Sequence, residues 1–373
     1  MTLRSFLATK PLYYKKFDPT RMRRAYEPIA HLLPKPKIVH IVGTNGKGST
    51  GRFLAGALRE AGWSVGHYTS PHILRLNERF WRDGRYVSDE EMEKAHRRLY
   101  AMLEAPQELS YFEYTTFLAL LLFDSCDYVV LEAGLGGEYD ATSVFEHILT
   151  LVTPIGYDHR EFLGKRIEEI AATKLRAVQK EAILAPHQPK EVLEVARRLR
   201  IDFEVAQELP QAKEACKKEG LAPFFATNLS LALAAAKKLG LVADAKRVVG
   251  YRLPARMQRV GNLLLDVGHN PLSAEAIAKS LERKRVLVYN SYEDKEYGKI
   301  LKILAPKVKR VEVIEIEDER IAKKEAIVQA AKDAGLEVRE FEALQENEEY
   351  LVYGSFKVIE EFVKRCGLDI MNF

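Results

Sequence analysis

Lys37-Ile-Val-His-Ile-Val-Gly-Thr-Asn-Gly-Lys-Gly-Ser-Thr50 decides how this chain folds. Its first six residues are a short β-branched run, so a strand is expected over 37–42. The run stops at Gly43, and an amphipathic helical pattern follows over 48–61. Strand, glycine turn and helix in direct succession open a βα unit. The glycines let the backbone curl until successive N–H groups face one point, and the helix N-terminus adds positive potential there. Thr44, Asn45, Gly46, Lys47, Gly48, Ser49 and Thr50 therefore read as a phosphate cradle. Lys47 supplies a point charge, and the Ser49 or Thr50 hydroxyl is placed to touch a nucleotide or its Mg²⁺. The common pattern G-x-x-x-x-G-K-[ST] is not met, because position 41 is Ile41 and Gly48 precedes the hydroxyl.

The same rhythm continues outward. Strands are expected over 64–69, 128–131 (ending at Glu132), 147–155 and 181–185, with helices over 167–179 and 228–239. After a break at Arg252-Leu-Pro-Ala-Arg256 the pattern restarts: strands over 263–267, 285–289 and 311–316 alternate with helices over 273–281 and 297–304. Such alternation predicts an α/β protein with parallel sheets, a P-loop-type ATPase domain over 1–252 followed by a smaller Rossmann-like domain over 253–373. Ligands in such sheets bind at the carboxyl ends of strands, where the unusual residues fall.

Composition bounds the partners. The chain has 373 residues, enough for two domains, and 57 Lys+Arg against 53 Asp+Glu. That balance is too even for a nucleic-acid footprint. Cys126, Cys216 and Cys366 are widely spaced and form neither a disulfide framework nor a metal motif, which suits a reducing cytoplasm. The segment 1–16 shows no signal-peptide pattern. The longest apolar stretch, 117–123, is far short of the ~20 residues of a membrane span.

Four further clusters carry chemistry. Thr69-Ser70-Pro71-His72, followed by Arg79, leaves a strand end as a loop that reaches a ligand or is simply well capped. Glu132 ends a buried strand, where a carboxylate is costly unless it meets a cation, so it reads as a metal ligand. Gly134, Gly136 and Gly137 beyond it permit close backbone approach to a substrate. Asp158-His159 follows another strand, with His159 a ligand, a general acid or a packed loop residue. Lys174, on an amphipathic helix, reads by itself as a solvated lysine. In the second half, Arg256 suits a bidentate phosphate clamp, and Asp266-Val-Gly-His269-Asn-Pro suits ribose hydroxyls and phosphates.

Taken in order, these blocks resemble the Mur ligase superfamily, and within it the folylpolyglutamate synthase and dihydrofolate synthase family. The resemblance covers essentially the whole chain. It rests on Gly43-Thr-Asn-Gly-Lys-Gly-Ser49, Ser70-Pro-His72, Leu131-Glu-Ala-Gly-Leu-Gly-Gly-Glu-Tyr-Asp-Ala-Thr142, Asp158-His159 and Asp266 to Pro271. It implies that Lys47 and the loop amides hold the β- and γ-phosphates of ATP. Ser70, Glu132 and His159 bind Mg²⁺ at two sites, with Ser49 as a further ligand. Lys174 becomes a carbamate that serves the second metal. Asn228 faces adenine, Arg256 the phosphates, Asp266 the ribose, and His269 the phosphates from the second domain. Tyr111-Phe112-Glu113, Asp140 and Ala141 contact the pterin. The chain departs from the family at Phe224-Phe225, where a His-Gln pair is usual, and at Ala255 and Asn290-Ser291, where Gly is usual.

The resemblance thus implies a monomeric cytoplasmic enzyme with small-molecule substrates: ATP, L-glutamate, and dihydropteroate or a reduced folate. The substrate carboxylate attacks the γ-phosphate to give an acyl phosphate, which the glutamate amine converts to an amide, releasing phosphate. The Tyr111 and Asp140 segments favour an enzyme accepting both substrates. Two other readings stand beside it. One is a Mur-type ligase acting on a peptidoglycan-like precursor; the other is a regulatory P-loop NTPase, which leaves the second βαβ domain and Lys174 without a role.

Overall fold

The computed structural model describes residues 1–10 and 18–371, so part of the N-terminal segment 1–16 lies outside the described residues. Two compact units form, Met1–Ala215 with Ala226–Tyr251, and Cys216–Phe225 with Arg252–Phe373.

The first unit carries eight strands: β1 (Lys37–Val42), β2 (Val65–Tyr68), β3 (Phe80–Arg82), β4 (Arg85–Tyr86), β5 (Tyr128–Glu132), β6 (Leu149–Val152), β7 (Glu181–Leu184) and β8 (Asp202–Val205). Their order is β4-β3-β2-β5-β1-β6-β7-β8. The strands from β2 to β8 along this order run parallel, and the β3–β4 hairpin adds an antiparallel edge. Central β1 is buried at every residue after Lys37, as a parallel strand covered on both faces must be. The helix Tyr111–Leu122 is buried from Glu113 onward and shares one core with β5, whereas Ile170, Ala171 and Leu175 share another with β6 and β7.

The second unit holds β9 (Gln258–Val260), β10 (Leu263–Asp266), β11 (Arg285–Tyr289), β12 (Val308–Val313), β13 (Val338–Glu340) and β14 (Tyr350–Tyr353), in the order β13-β12-β11-β14-β10-β9. Among these strands β9 pairs antiparallel with β10 and the rest pair parallel. Both units are α/β with mostly parallel sheets.

The expected elements differ from the observed ones mainly at their ends. The strand expected over 147–155 shrinks to β6, because Pro154 has no N–H for the ladder. The helix expected over 167–179 ends at Leu175; Gln179 instead donates to the carbonyls of Ser143 and Phe145. The helix Phe224–Lys238 begins before residue 228. The strand expected over 311–316 shifts to β12. The short β3–β4 hairpin has too few residues to show alternation. Among the described residues no helix is long and apolar enough to cross a membrane.

Candidate active site

Register alone brings four sequence blocks together. Ile41 pairs with Glu132, Val42 with Val152, and Tyr68 with Leu131. The loops opening at Gly43, Thr69, Glu132 and Thr153 therefore leave adjacent strands at one carboxyl edge.

The phosphate loop is braced from beneath. Thr44 and Asn45 donate their amides to Pro154 O at 3.0 and 3.4 Å. The Thr44 hydroxyl donates to Gly156 O at 3.1 Å. Gly43 and Gly46 have φ of 143° and 87°, and a side chain at either would overlap Thr153 or Asn228, respectively. Glycine is thus required twice over, by conformation and by space. Asn228 accordingly packs under the loop. The first amide to close a helical turn is that of Thr50, onto Gly46 O. The amides before it belong to the open first turn that favours anions. Of the two candidate hydroxyls, Thr50 is completely buried and its Oγ1 has no partner among the described residues, while Ser49 is 6% exposed.

Lys174 is the clearest departure from the residue-level reading. It is not solvated but buried, at 4% exposure, on the helix Ile167–Leu175. Its Nζ donates to Gly43 O at 2.8 Å, and Lys47 Nζ lies 3.4 Å from the same oxygen and 3.2 Å from Thr44 O. Two amines thus converge on one carbonyl. Burial, reinforced by the Lys47 charge, brings the Lys174 pKa down to about 7, with Asp158 and Asp140 opposing. The signal was present in the sequence: Lys174 occupies the same helix stripe as Ile170 and Ala171.

Glu132 is buried, and its Oε2 accepts from the Thr69 hydroxyl and, at 3.2 Å, from the Ser70 amide. Thr69, the first residue of the Ser70 loop, thus ties that loop to the carboxylate. His159 adopts φ 49°, with its amide on Asp158 Oδ1 at 2.8 Å, at the start of the helix Arg160–Leu163.

Ser70-Pro71 and His72 lead to an aromatic cluster. Arg79, itself buried, donates from Nε to His72 Nδ1 at 2.9 Å and lies 5.2 Å from the centroid of Tyr111. Phe112 approaches Tyr68 at 5.9 Å and faces Gly134, where an added Cβ would lie 2.8 Å from its ring. Glu113 serves the fold, capping its own helix through Ser110 and pairing with Arg21 at 2.9 Å.

Asp140, expected against the pterin, is buried and turned into its own loop. Its Oδ2 accepts from the amides of Gly134 and Leu135, both at 2.9 Å. Its Oδ1 accepts from the Thr142 amide at 3.0 Å and hydroxyl at 2.6 Å. Burial pushes its pKa up against these hydrogen bonds. Ala141 begins the following short helical turn, buried. The loop docks on the Lys174 helix through Glu138 N to Thr173 O at 2.9 Å.

In the second unit Asp266 repeats this design, accepting from Gly268 N at 2.7 Å and Met257 N at 3.0 Å. Burial raises its pKa, opposed first by the Arg256 charge. Arg256 stacks 4.9 Å from the Phe356 centroid, and His269 Nδ1 lies 3.1 Å from Val267 O. Ala255, where the family usually has glycine, adopts φ 47°.

An α/β fold with a glycine phosphate loop, a buried lysine and a strand-end carboxylate is that of a nucleotide-dependent ligase. Residues 255–353 match the family model described as Mur ligase, glutamate ligase domain. The dihydrofolate synthase/folylpolyglutamate synthase of Bacillus subtilis is 30% identical over 333 residues, covering 76% of this chain and 77% of that protein. Helicobacter pylori folylpolyglutamate synthetase is similar in structure, with a TM-score of 0.80, 39% identity and 97% of each chain covered. So is the bifunctional folylpolyglutamate synthase/dihydrofolate synthase of Yersinia pestis complexed with AMPPNP and Mn ion, at TM-score 0.84 and 27% identity over 99% of this chain and 98% of that one. The chain belongs to the dihydrofolate synthase/folylpolyglutamate synthase family of the Mur ligase superfamily.

Proposed function

We propose that this chain is an ATP-dependent ligase that adds L-glutamate both to dihydropteroate and to reduced folates, acting as a cytoplasmic monomer. The observation that carries this reading is the buried Lys174 amine on the phosphate-loop carbonyl, poised between charged and neutral near pH 7. A neutral amine can capture CO₂ as a carbamate, which replaces a cation by an anion beside Lys47. The fold match alone would not require such a residue.

The donor set fits Mg²⁺. Both hydrogen bonds to Glu132 fall on Oε2, leaving Oε1 for a cation. With Ser49, Ser70, His159 and a Lys174 carbamate, the set is rich in hard oxygen, and we assign two sites to it. Bound there, Mg²⁺ supplies charge neutralisation on the phosphates. Lys47 and the first-turn amides hold the β- and γ-phosphates in line with the acceptor carboxylate. Ser70, Pro71, His72, Arg79, Tyr111, Phe112 and the loop carrying Asp140 and Ala141 hold the acceptor. In the second unit Arg256, Asp266 and His269 are the proposed nucleotide contacts, and Asn228 supports the loop beside its adenine role.

The carboxylate oxygen attacks the γ-phosphorus, ADP leaves, and the glutamate amine displaces phosphate from the acyl carbon. Positioning and charge supply the rate. Purified protein given ATP, glutamate and either dihydropteroate or tetrahydrofolate is expected to yield both products one glutamate heavier, read by mass. Mass gain on only one acceptor would reject the dual activity, and gain on neither would reject the folate reading.

A further inference from the structure

We infer that His40 and His147 are positioning residues for the acceptor-side loop 133–140, an inference that rests on the folate reading above. His40 lies in the middle of β1 and His147 just before β6; they are 0% and 1% exposed. Their rings stack at 4.4 Å with an interplanar angle of 7°. Both reach Thr142 in the buried interior, His40 Nε2 at 2.7 Å from its hydroxyl and His147 Nε2 at 3.2 Å from its carbonyl.

The direction of these bonds follows from proton counting. The Thr142 hydroxyl gives its single proton to Asp140 Oδ1 at 2.6 Å. His40 Nε2 must therefore donate to that hydroxyl, and His147 Nε2 must donate to the carbonyl. The chain then runs in one sense: His40 N–H to Thr142 O–H to Asp140 carboxylate, whose other oxygen receives the amides of Gly134 and Leu135. This arrangement has a price in stability, because His40 Nδ1 is buried without a partner among the described residues. A leucine or phenylalanine would fill the same space without that orphan acceptor, whose burial is unfavourable. What the imidazole adds is a donor aimed at Thr142.

The loop so held has two working faces. Gly134 lies against Phe112, and Glu138 is bonded to the backbone of the Lys174 helix. A loosened Asp140 carboxylate would free the Gly134 and Leu135 amides and let the acceptor-side wall drift, while the phosphate loop keeps its own braces on Pro154 and Gly156. The effect should therefore fall on the acceptor and spare the nucleotide.

The test compares wild type with His40→Leu, His40→Gln and Thr142→Val. Gln places a side-chain N–H close to the position of His Nε2, whereas Leu does not. His40→Leu and Thr142→Val are expected to raise the KM for the pterin acceptor about tenfold and to leave the KM for ATP within about twofold, with His40→Gln restoring most of the loss. Amide exchange by mass spectrometry, on protein without ligands, should show faster exchange over 133–140 in Leu and Val but not in Gln. Thr142→Val decides the matter if His40→Leu fails to fold. An unshifted acceptor KM, an equal rise in the ATP KM, or unchanged exchange over 133–140 overturns the inference. Absence of turnover in wild type with any pterin acceptor would instead overturn the folate reading, and the exchange comparison would still judge the relay.

Discussion

The carboxyl edges of the two sheets solve the same problem with opposite means. Each carries a buried aspartate: Asp140 holds the amides of Gly134 and Leu135 in one loop, and Asp266 holds those of Gly268 and Met257 from two segments. In the first unit the hydrogen bonds come only from neutral groups, four donors on one carboxylate backed by neutral histidines. In the second unit two amides suffice, and the Arg256 charge is the first influence to oppose the burial penalty. The first edge also buries a lysine that burial and Lys47 drive toward neutrality. Charge is thus stripped bare at one edge and balanced at the other. Stripping leaves groups that respond strongly to an incoming anion or metal; balancing leaves a robust loop.

The largest effect that would break this contrast is at Lys174. Lys174→Met should lower kcat by about 10²–10³, the usual loss for one electrostatic group. It should also leave the protein without ligands at least as stable at pH 6. The sign follows from the depressed pKa: between about 7 and the ordinary lysine value of 10.5 the unfolded chain holds the proton and the fold does not, so the buried ammonium costs stability most below pH 7. Full turnover by the variant, or a marked fall in its melting temperature, would remove Lys174 from the stripped edge.

Next in size is acid sensitivity. Burial first of all pushes His147 down to about 4, so its neutral form is favoured in the fold. The unfolded chain takes up that proton from about pH 6.5 downward. The His147 contribution is therefore fully present above pH 6.5 and is lost as the pH falls toward 4, by about 3 kcal/mol in all. Denaturant melts should show His147→Gln with a flatter decline over this window than wild type. Parallel curves would place the histidine outside the acid response.

Much of this edge was legible beforehand. The glycine turn, Lys47 and Glu132 announce themselves because their residue types suit only a few backbone environments. Taken by itself Lys174 reads as solvated, because a lysine on an amphipathic helix is ordinarily so, although Ile170 and Ala171 share its face; only the family resemblance brings it to the site. Asp140 reads as a ligand contact, yet its oxygens are taken by the amides of Gly134, Leu135 and Thr142 and by the Thr142 hydroxyl, and amide partners leave no mark in side-chain identity. His40 and His147 were invisible for a related reason: the sheet, not the sequence, brings them together.

A finer comparison sets the two aspartates side by side. Asp140→Asn should cost about 3 kcal/mol and Asp266→Asn about 1–2 kcal/mol, because the amide nitrogen would face two lost donors in the first case and one in the second. Equal losses in thermal melts would mean that the two edges are not held differently.

Smallest of all is Ala255→Gly. Relief of a left-handed backbone is offset by a lost buried methyl and a freer unfolded chain, so the change should stay under about 1 kcal/mol. A larger loss would show that the Ala255 methyl, and not its backbone, sets this turn.

The central chemistry has a direct measurement: the fate of an ¹⁸O label placed in the acceptor's carboxylate during turnover with ATP and glutamate. If that carboxylate takes the γ-phosphoryl group, each amide formed releases one labelled oxygen into inorganic phosphate. Unlabelled phosphate accompanying amide formation would contradict the account.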